Sequence, residues 1–195
     1  MSIYDFSRSF VERLAGSLRS EEKTRDDCHP LNSFDKEDID HVKNNFDKHY
    51  YMMYCFPNST MKSTMALGHY LARDDESNEN GRGFERMDRY IKISASKLFD
   101  DQLYSTHNPE LSNYDLSPLG HYLGGGWRIK SPVSEIFDLE YYTNECFPLE
   151  SFRSISPIEH YVFPVIRSDN DAEGFAKMAS FIRKRRLDLE RSIES

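Results

Sequence analysis

Apolar residues recur every three or four positions in three stretches of this chain, and each such stretch predicts a helix with one buried face. Phe6, Phe10, Leu14 and Leu18 mark an amphipathic N-terminal helix. Phe84, Met87, Ile91, Ala95 and Leu98 trace a second stripe. Phe175, Met178, Ile182 and Leu189 trace a third, entered near Asp171. Strand patterning is weak: only Tyr161–Ile166 is apolar enough, and Pro164 demotes it because proline cannot donate to a ladder. Two polar stretches, Ser20–Pro30 and Arg73–Gly83, read as exposed linkers. The expected class is all-α.

Between the stripes one pattern occurs three times, over residues 46–71, 99–127 and 137–162. Each copy opens with Phe-Asp, places a tyrosine four or five residues on, then a proline, then His-Tyr. The proline-to-histidine distance is 12 residues in every copy: Pro57 to His69, Pro109 to His121, Pro148 to His160. Asp47, Asp100 and Asp138 are suited to cap a helix by accepting a free backbone N–H of its first turn. The preceding Phe and the later Tyr are then the two ends of a hydrophobic staple: Phe46 with Tyr51, Phe99 with Tyr104, Phe137 with Tyr142. That helix should stop before the proline. A second start follows at Ser117-Pro118 and Ser156-Pro157, where serine caps and proline takes the first helical position. Ser156 and Glu159 complete a capping box, whereas the first copy has only Thr64 nearby. Gly124, Gly125 and Gly126 end the second copy's short helix. The expectation is three helix–loop–short-helix units stacked side by side, with flanking amphipathic helices closing the ends. Residues 1–45 would hold an N-terminal helix and linker, 46–162 the repeats, and 163–195 a C-terminal helix.

Composition narrows the function. The chain has 195 residues, 33 acidic against 25 basic, and a formal net charge of −8, which gives no counterion-release drive toward nucleic acid or anionic lipid. The Arg183–Arg186 run lies beside Asp188 and Glu190 and reads as a solvated mixed face. Aromatics make up 13%, so the core should be aromatic rather than aliphatic. No run reaches the length of a membrane span and the first residues do not read as a signal peptide, so a cytoplasmic setting is expected, with release as part of a particle as the exception. Cys28, Cys55 and Cys146 are too few and too oddly spaced for a disulfide scaffold or a zinc ribbon.

Phe-Asp-x-x-Tyr-Tyr, Asn-Pro-Glu-Leu and Pro-Leu-x-His-Tyr-Leu-x-x-Gly-Trp resemble a short repeat that accompanies bacterial glycosyltransferase and rhamnan-synthesis proteins, and that occurs in some large secreted, calcium-dependent proteins. Phe99–Trp127 is the best match. The third copy lacks the Gly-Trp ending, and the first lacks Asn-Pro and Ser-Pro. The resemblance implies a glycan-related context. It implies no reaction of this chain's own, because catalysis in those proteins is assigned to neighbouring domains.

Packing accounts for most of the chemistry-bearing residues. His69, His121 and His160 sit at one repeat position, each followed by Tyr, where a bond to a backbone carbonyl or a tyrosine explains them better than metal or acid–base work. Cys55 and Cys146 both precede Phe-Pro and read as small buried residues. The acidic stretch at 72–83 fails as a calcium loop, since its register puts Met87 where a bidentate Glu belongs. Phosphate-loop, nucleophile-elbow and zinc-protease motifs are missing from the sequence. No catalytic residue, metal or cofactor is assigned. The candidate ligand contacts are Trp127, Tyr122 and Tyr142 as an aromatic platform for a sugar, with His121 and His160; packing of Trp127 between units is the alternative. The expected function is recognition or adaptation at bacterial surface polysaccharide or the machinery that makes it. Two alternatives stand beside it: an accessory subunit of a glycosyltransferase, and an attachment component of a surface or phage-like particle that binds capsule. A homo- or hetero-oligomer is compatible with each.

Overall fold

Helices begin where the aspartates stand. Asp47 accepts from the backbone N–H groups of His49 and Tyr50 at 2.8 and 3.0 Å, Asp100 from Leu103 at 2.9 Å, and Asp138 from Tyr141 at 2.9 Å. Each carboxylate satisfies a donor that the first turn leaves free. In the computed structural model, residues 36–72, 78–148, 155–164 and 169–193 are described. The chain divides into two compact units, Met1–Glu37 and Asp38–Ser195, and all three copies of the repeated pattern lie in the second. The stripe Phe6–Leu18 and the stretch Ser20–Pro30 lie outside the described residues.

Among the described residues the protein is all-α, with nine α-helices and no strand. They are α1 (Lys36–Asn45), α2 (Lys48–Tyr50), α3 (Ala66–Leu71), α4 (Asn78–Ser96), α5 (Asp101–His107), α6 (Pro118–Gly124), α7 (Leu139–Tyr141), α8 (Pro157–Val162) and α9 (Asp169–Ile193). Helices α2 and α7 widen into π turns at Tyr51–Cys55 and Tyr142–Cys146, so both end just before Pro57 and Pro148. Helix α5 ends at His107, before Pro109. Ser117 caps α6 and Ser156 caps α8, the latter in a complete capping box with Glu159. Helix α3 has no side-chain cap; a short 3₁₀ turn, Ser63–Met65, leads into it instead.

The staple pairs form in all three copies. Ring centroids lie 5.2 Å apart for Phe46–Tyr51, 5.1 Å for Phe99–Tyr104 and 5.2 Å for Phe137–Tyr142. The tyrosine after each histidine closes the same triangle, edge-on to the first tyrosine at 6.0, 5.8 and 6.1 Å. Tyr51, Tyr70, Tyr104, Tyr122, Tyr142 and Phe137 head the fully buried side chains by volume, so the core is built of the repeat's own aromatics.

The first and third copies share more than their anchors. One shift of 91 residues carries Phe46 to Phe137 and Ile91 to Ile182, with no insertion between. It superposes Gly83-Phe84 on Gly174-Phe175, Met87 on Met178 and Tyr90 on Phe181. Helix α4 is thus the counterpart of α9. Phe84 packs 5.1 Å from Phe56, and Phe175 packs 4.8 Å from Phe147. Tyr50 lies 4.8 Å from Tyr90, and Tyr141 stacks 4.3 Å from Phe181. The second copy has no such helix: a 3₁₀ turn, Gly126–Ile129, leads on toward Phe137.

One expectation needs correction. Arg73–Gly83 is not linker throughout, because α4 starts at Asn78 and Gly83 is buried. A Cβ on Gly83 would stand 2.6 Å from the Cys55 carbonyl, so only glycine lets this helix approach. Tyr161 and Val162 close helix α8, in keeping with the weak strand signal there, since the Ser156–Glu159 box commits that segment to a helix; residues 165–166 lie outside the described set. Helix α1 also packs here, with Val42 buried and Asn45 accepting from Ser94 of α4 at 2.9 Å.

Candidate ligand-binding cleft

In every copy the histidine Nδ1 meets a tyrosine hydroxyl: His69 with Tyr51 at 2.7 Å, His121 with Tyr104 at 3.0 Å, His160 with Tyr142 at 2.7 Å. The rings are also held by neighbours. His69 stacks 5.5 Å from Phe84, and His160 lies 5.2 Å from Phe175. Burial holds the His121 imidazole below its ordinary pKa, with Glu110 pulling the other way. A Cβ on Gly126 would fall 2.5 Å from the His121 ring, so that glycine leaves space for the Tyr104–His121 pair. The three histidines are therefore tied into packing through one nitrogen each.

Tyr122 and Tyr142 are fully buried, which closes their ring faces to a sugar. The Tyr122 hydroxyl lies beside Ser156 and the Ile158 backbone at the start of α8, without a hydrogen bond of ordinary geometry. Burial pushes the phenols of Tyr50, Tyr90 and Tyr122 far above their usual range and that of Tyr104 up to about 12. Burial also pushes the thiols of Cys55 and Cys146 up to about 12 and about 11, so both stay protonated and unreactive at neutral pH. Neither is in a disulfide. Among the described residues no group of three or more His, Cys, Asp or Glu is placed to hold a metal ion.

Of the predicted contacts, Trp127 lines a cleft that Tyr122, Tyr142, His121 and His160 do not, and its partners there differ from those expected. The cleft has a volume of about 380 Å³. One wall is the first copy and its helix α4, through Tyr50, Tyr54, Arg82, Glu85, Arg86 and Arg89. The opposite wall is the glycine-rich end of α6, through Leu123, Gly124, Gly125, Trp127 and Arg128, and Ile155 and Glu159 of the third copy complete it. The glycines are what bring these walls together. A Cβ on Gly124 would run into the Tyr54 ring. Gly125 has φ +138°, a conformation L side chains rarely adopt, and its open side accommodates Arg128. Two wider, shallower hollows lie elsewhere, one beside Phe46 and Leu67 and one along α9 beside Tyr141 and Phe181.

Arg82 apart, the charged groups of the cleft are held by neighbours. Arg86 donates to the Tyr54 carbonyl, Arg89 pairs with Glu85 at 2.6 Å, and Arg128 lies 4.4 Å from the Trp127 ring. The Glu159 carboxylate accepts from the Ser156 N–H at 2.9 Å. Four arginines against two glutamates make this a cationic recess on an acidic chain. The sequence held a signal for it: Arg82, Arg86 and Arg89 fall at i, i+4 and i+7, one helix face. Placing Arg82 in a linker hid that register.

Comparison of the chain with family models, with curated proteins and with solved structures finds no match.

Proposed function

We propose that this protein is a recognition or adaptor module for bacterial surface polysaccharide or for the proteins that make it, built from three copies of one helical block. The observation that carries the reading is Trp127 on the wall of an arginine-lined cleft to which all three copies contribute. An indole plane beside polar side chains suits a pyranose, whose C–H face packs on the ring while its hydroxyls take hydrogen bonds. The resemblance of Phe99–Trp127 to repeats of glycan-assembly proteins supports the same direction. Nothing in the cleft calls for a bond-breaking step: its ionised groups are arginines and two glutamates already engaged with Arg89 and Ser156.

The test is calorimetric titration with a panel of bacterial capsule and lipopolysaccharide-derived oligosaccharides. Binding is expected for at least one of them, and Trp127→Ala should abolish it while circular dichroism is unchanged. A folded protein that binds no member of the panel, or a Trp127→Ala variant that binds like the parent, overturns the reading.

A further inference from the structure

The correspondence between the first and third copies supplies an internal control for the cleft. Under the shift of 91 residues, Arg82, Glu85, Arg86 and Arg89 of α4 correspond to Glu173, Ala176, Lys177 and Ser180 of α9. Both helices pack the same aromatic pair beneath them, Tyr50–Tyr90 in one and Tyr141–Phe181 in the other. The scaffold thus accepts Glu, Lys and Ser at positions where α4 carries arginine. The three arginines gather only on the copy whose helix lines a cleft with Trp127, so the packing that α4 and α9 have in common does not require them.

We propose that the cleft takes an oxyanion carried on a sugar ring, a uronic-acid carboxylate or a sugar phosphate, held by Arg82 with Arg128 beside the Trp127 indole. This deepens the recognition reading above and rests on it. Arg86 and Arg89 are anchored to the Tyr54 carbonyl and to Glu85, which makes them fixed positive charge in the wall. Arg82 is exposed at the rim and has no hydrogen bond or ion pair among the described residues, so its guanidinium is the group left for a ligand. Arg128 lies over the Trp127 ring, which holds its guanidinium plane in order on the cleft wall, so a sugar packing on the part of the indole it leaves uncovered brings its acidic group to the guanidinium edge. A guanidinium fork matches the two oxygens of a carboxylate or phosphate and gives charge-assisted hydrogen bonds, which a neutral sugar hydroxyl does not. The recess is also set against a net charge of −8, so the local sign is opposite to that of the whole chain. An acidic saccharide is therefore selected at this spot rather than attracted everywhere.

The experiment titrates the full chain with an oligogalacturonide, with glucose 1-phosphate and with a neutral cello-oligosaccharide. Arg82→Glu installs the residue that α9 carries at the equivalent position, so the fold should tolerate it; Arg128→Gln removes the other charge. At least one acidic probe should bind about tenfold or more tighter than the neutral one, and each variant should weaken it about tenfold, the scale of one charge-assisted hydrogen bond. Added salt should weaken binding in parallel. The acidic probe that binds identifies the source of the oxyanion, carboxylate or phosphate. Equal binding of neutral and acidic probes, or wild-type affinity in Arg82→Glu and Arg128→Gln, overturns the oxyanion assignment and leaves the recognition reading intact if Trp127→Ala still abolishes binding. No binding of either acidic probe overturns the oxyanion assignment by itself; the recognition reading then stands or falls on the polysaccharide panel.

Discussion

The imidazole of His121 stands 3.0 Å from the Tyr104 hydroxyl, and burial holds its pKa below the ordinary histidine range. His41 is lowered by burial as well, against the pull of Asp38. A histidine whose folded pKa is depressed binds fewer protons folded than unfolded. Its contribution is therefore complete above the unfolded pKa and is lost as the pH falls through the folded value. Stability should decline as the pH is taken from about 7.5 toward about 5, the span around and below the ordinary histidine pKa, and His121→Gln should remove part of that decline. Urea unfolding at a series of pH values reads it, and a flat profile over that span would count against buried neutral imidazoles. The sequence foreshadowed this role, because three histidines at one repeat position, each followed by tyrosine, point to packing. It did not show that Tyr122 and Tyr142 would be sealed inside, since an aromatic side chain is written the same way whether it faces a core or a ligand.

Helices α4 and α9 approach their neighbours through single glycines. A Cβ on Gly83 would lie 2.6 Å from the Cys55 carbonyl, and one on Gly174 would lie 2.5 Å from the Cys146 carbonyl. Backbone cannot move aside as a flexible side-chain end can, so Gly83→Ala and Gly174→Ala should each destabilise by about 1–3 kcal/mol, the scale of overpacking. Gly68 in α3 has nothing within 4 Å of the same added atom. Gly68→Ala should stabilise by about 0.5–1 kcal/mol through helix propensity and a less free unfolded chain. Denaturant midpoints of the three variants decide this, and an equal sign at all three positions would refute the packing account. Element by element, the caps and proline stops were legible because they depend on residues a turn apart. The start of α4 was not, because the glycine at its heart looks like linker until Cys55 and Phe56 are known to lie against it.

Across the whole molecule, Asp47 does more than its counterparts. Besides capping α2 it accepts from Ser117 of α6, and from the Tyr90 hydroxyl of α4 at 3.4 Å. Tyr90 and Ser117 are themselves 3.0 Å apart, so three elements meet on one carboxylate. Asp100 caps α5 through Leu103. Asp100→Ala should cost about 1 kcal/mol, the worth of a cap. Asp47→Ala should cost that plus roughly 1.5–3 kcal/mol for hydrogen bonds to a charged group. Comparing the two unfolding free energies tests whether the first two copies are joined here, and equal losses would say that they are not.

The sequence by itself determined what spacing along one chain can determine: the all-α class, the repeated caps and staples, and the aromatic core. Those contacts join residues close in the chain, so sidedness and turn chemistry specify them before any distant partner is in place. Tertiary structure decided which faces were left over. The arginines of α4 and the indole after α6 are some 40 residues apart in sequence, and they share a cleft only because Gly124 and Gly125 let two copies close on each other. No local pattern encodes that approach, since it depends on the absence of a side chain at one place and the presence of a ring at another.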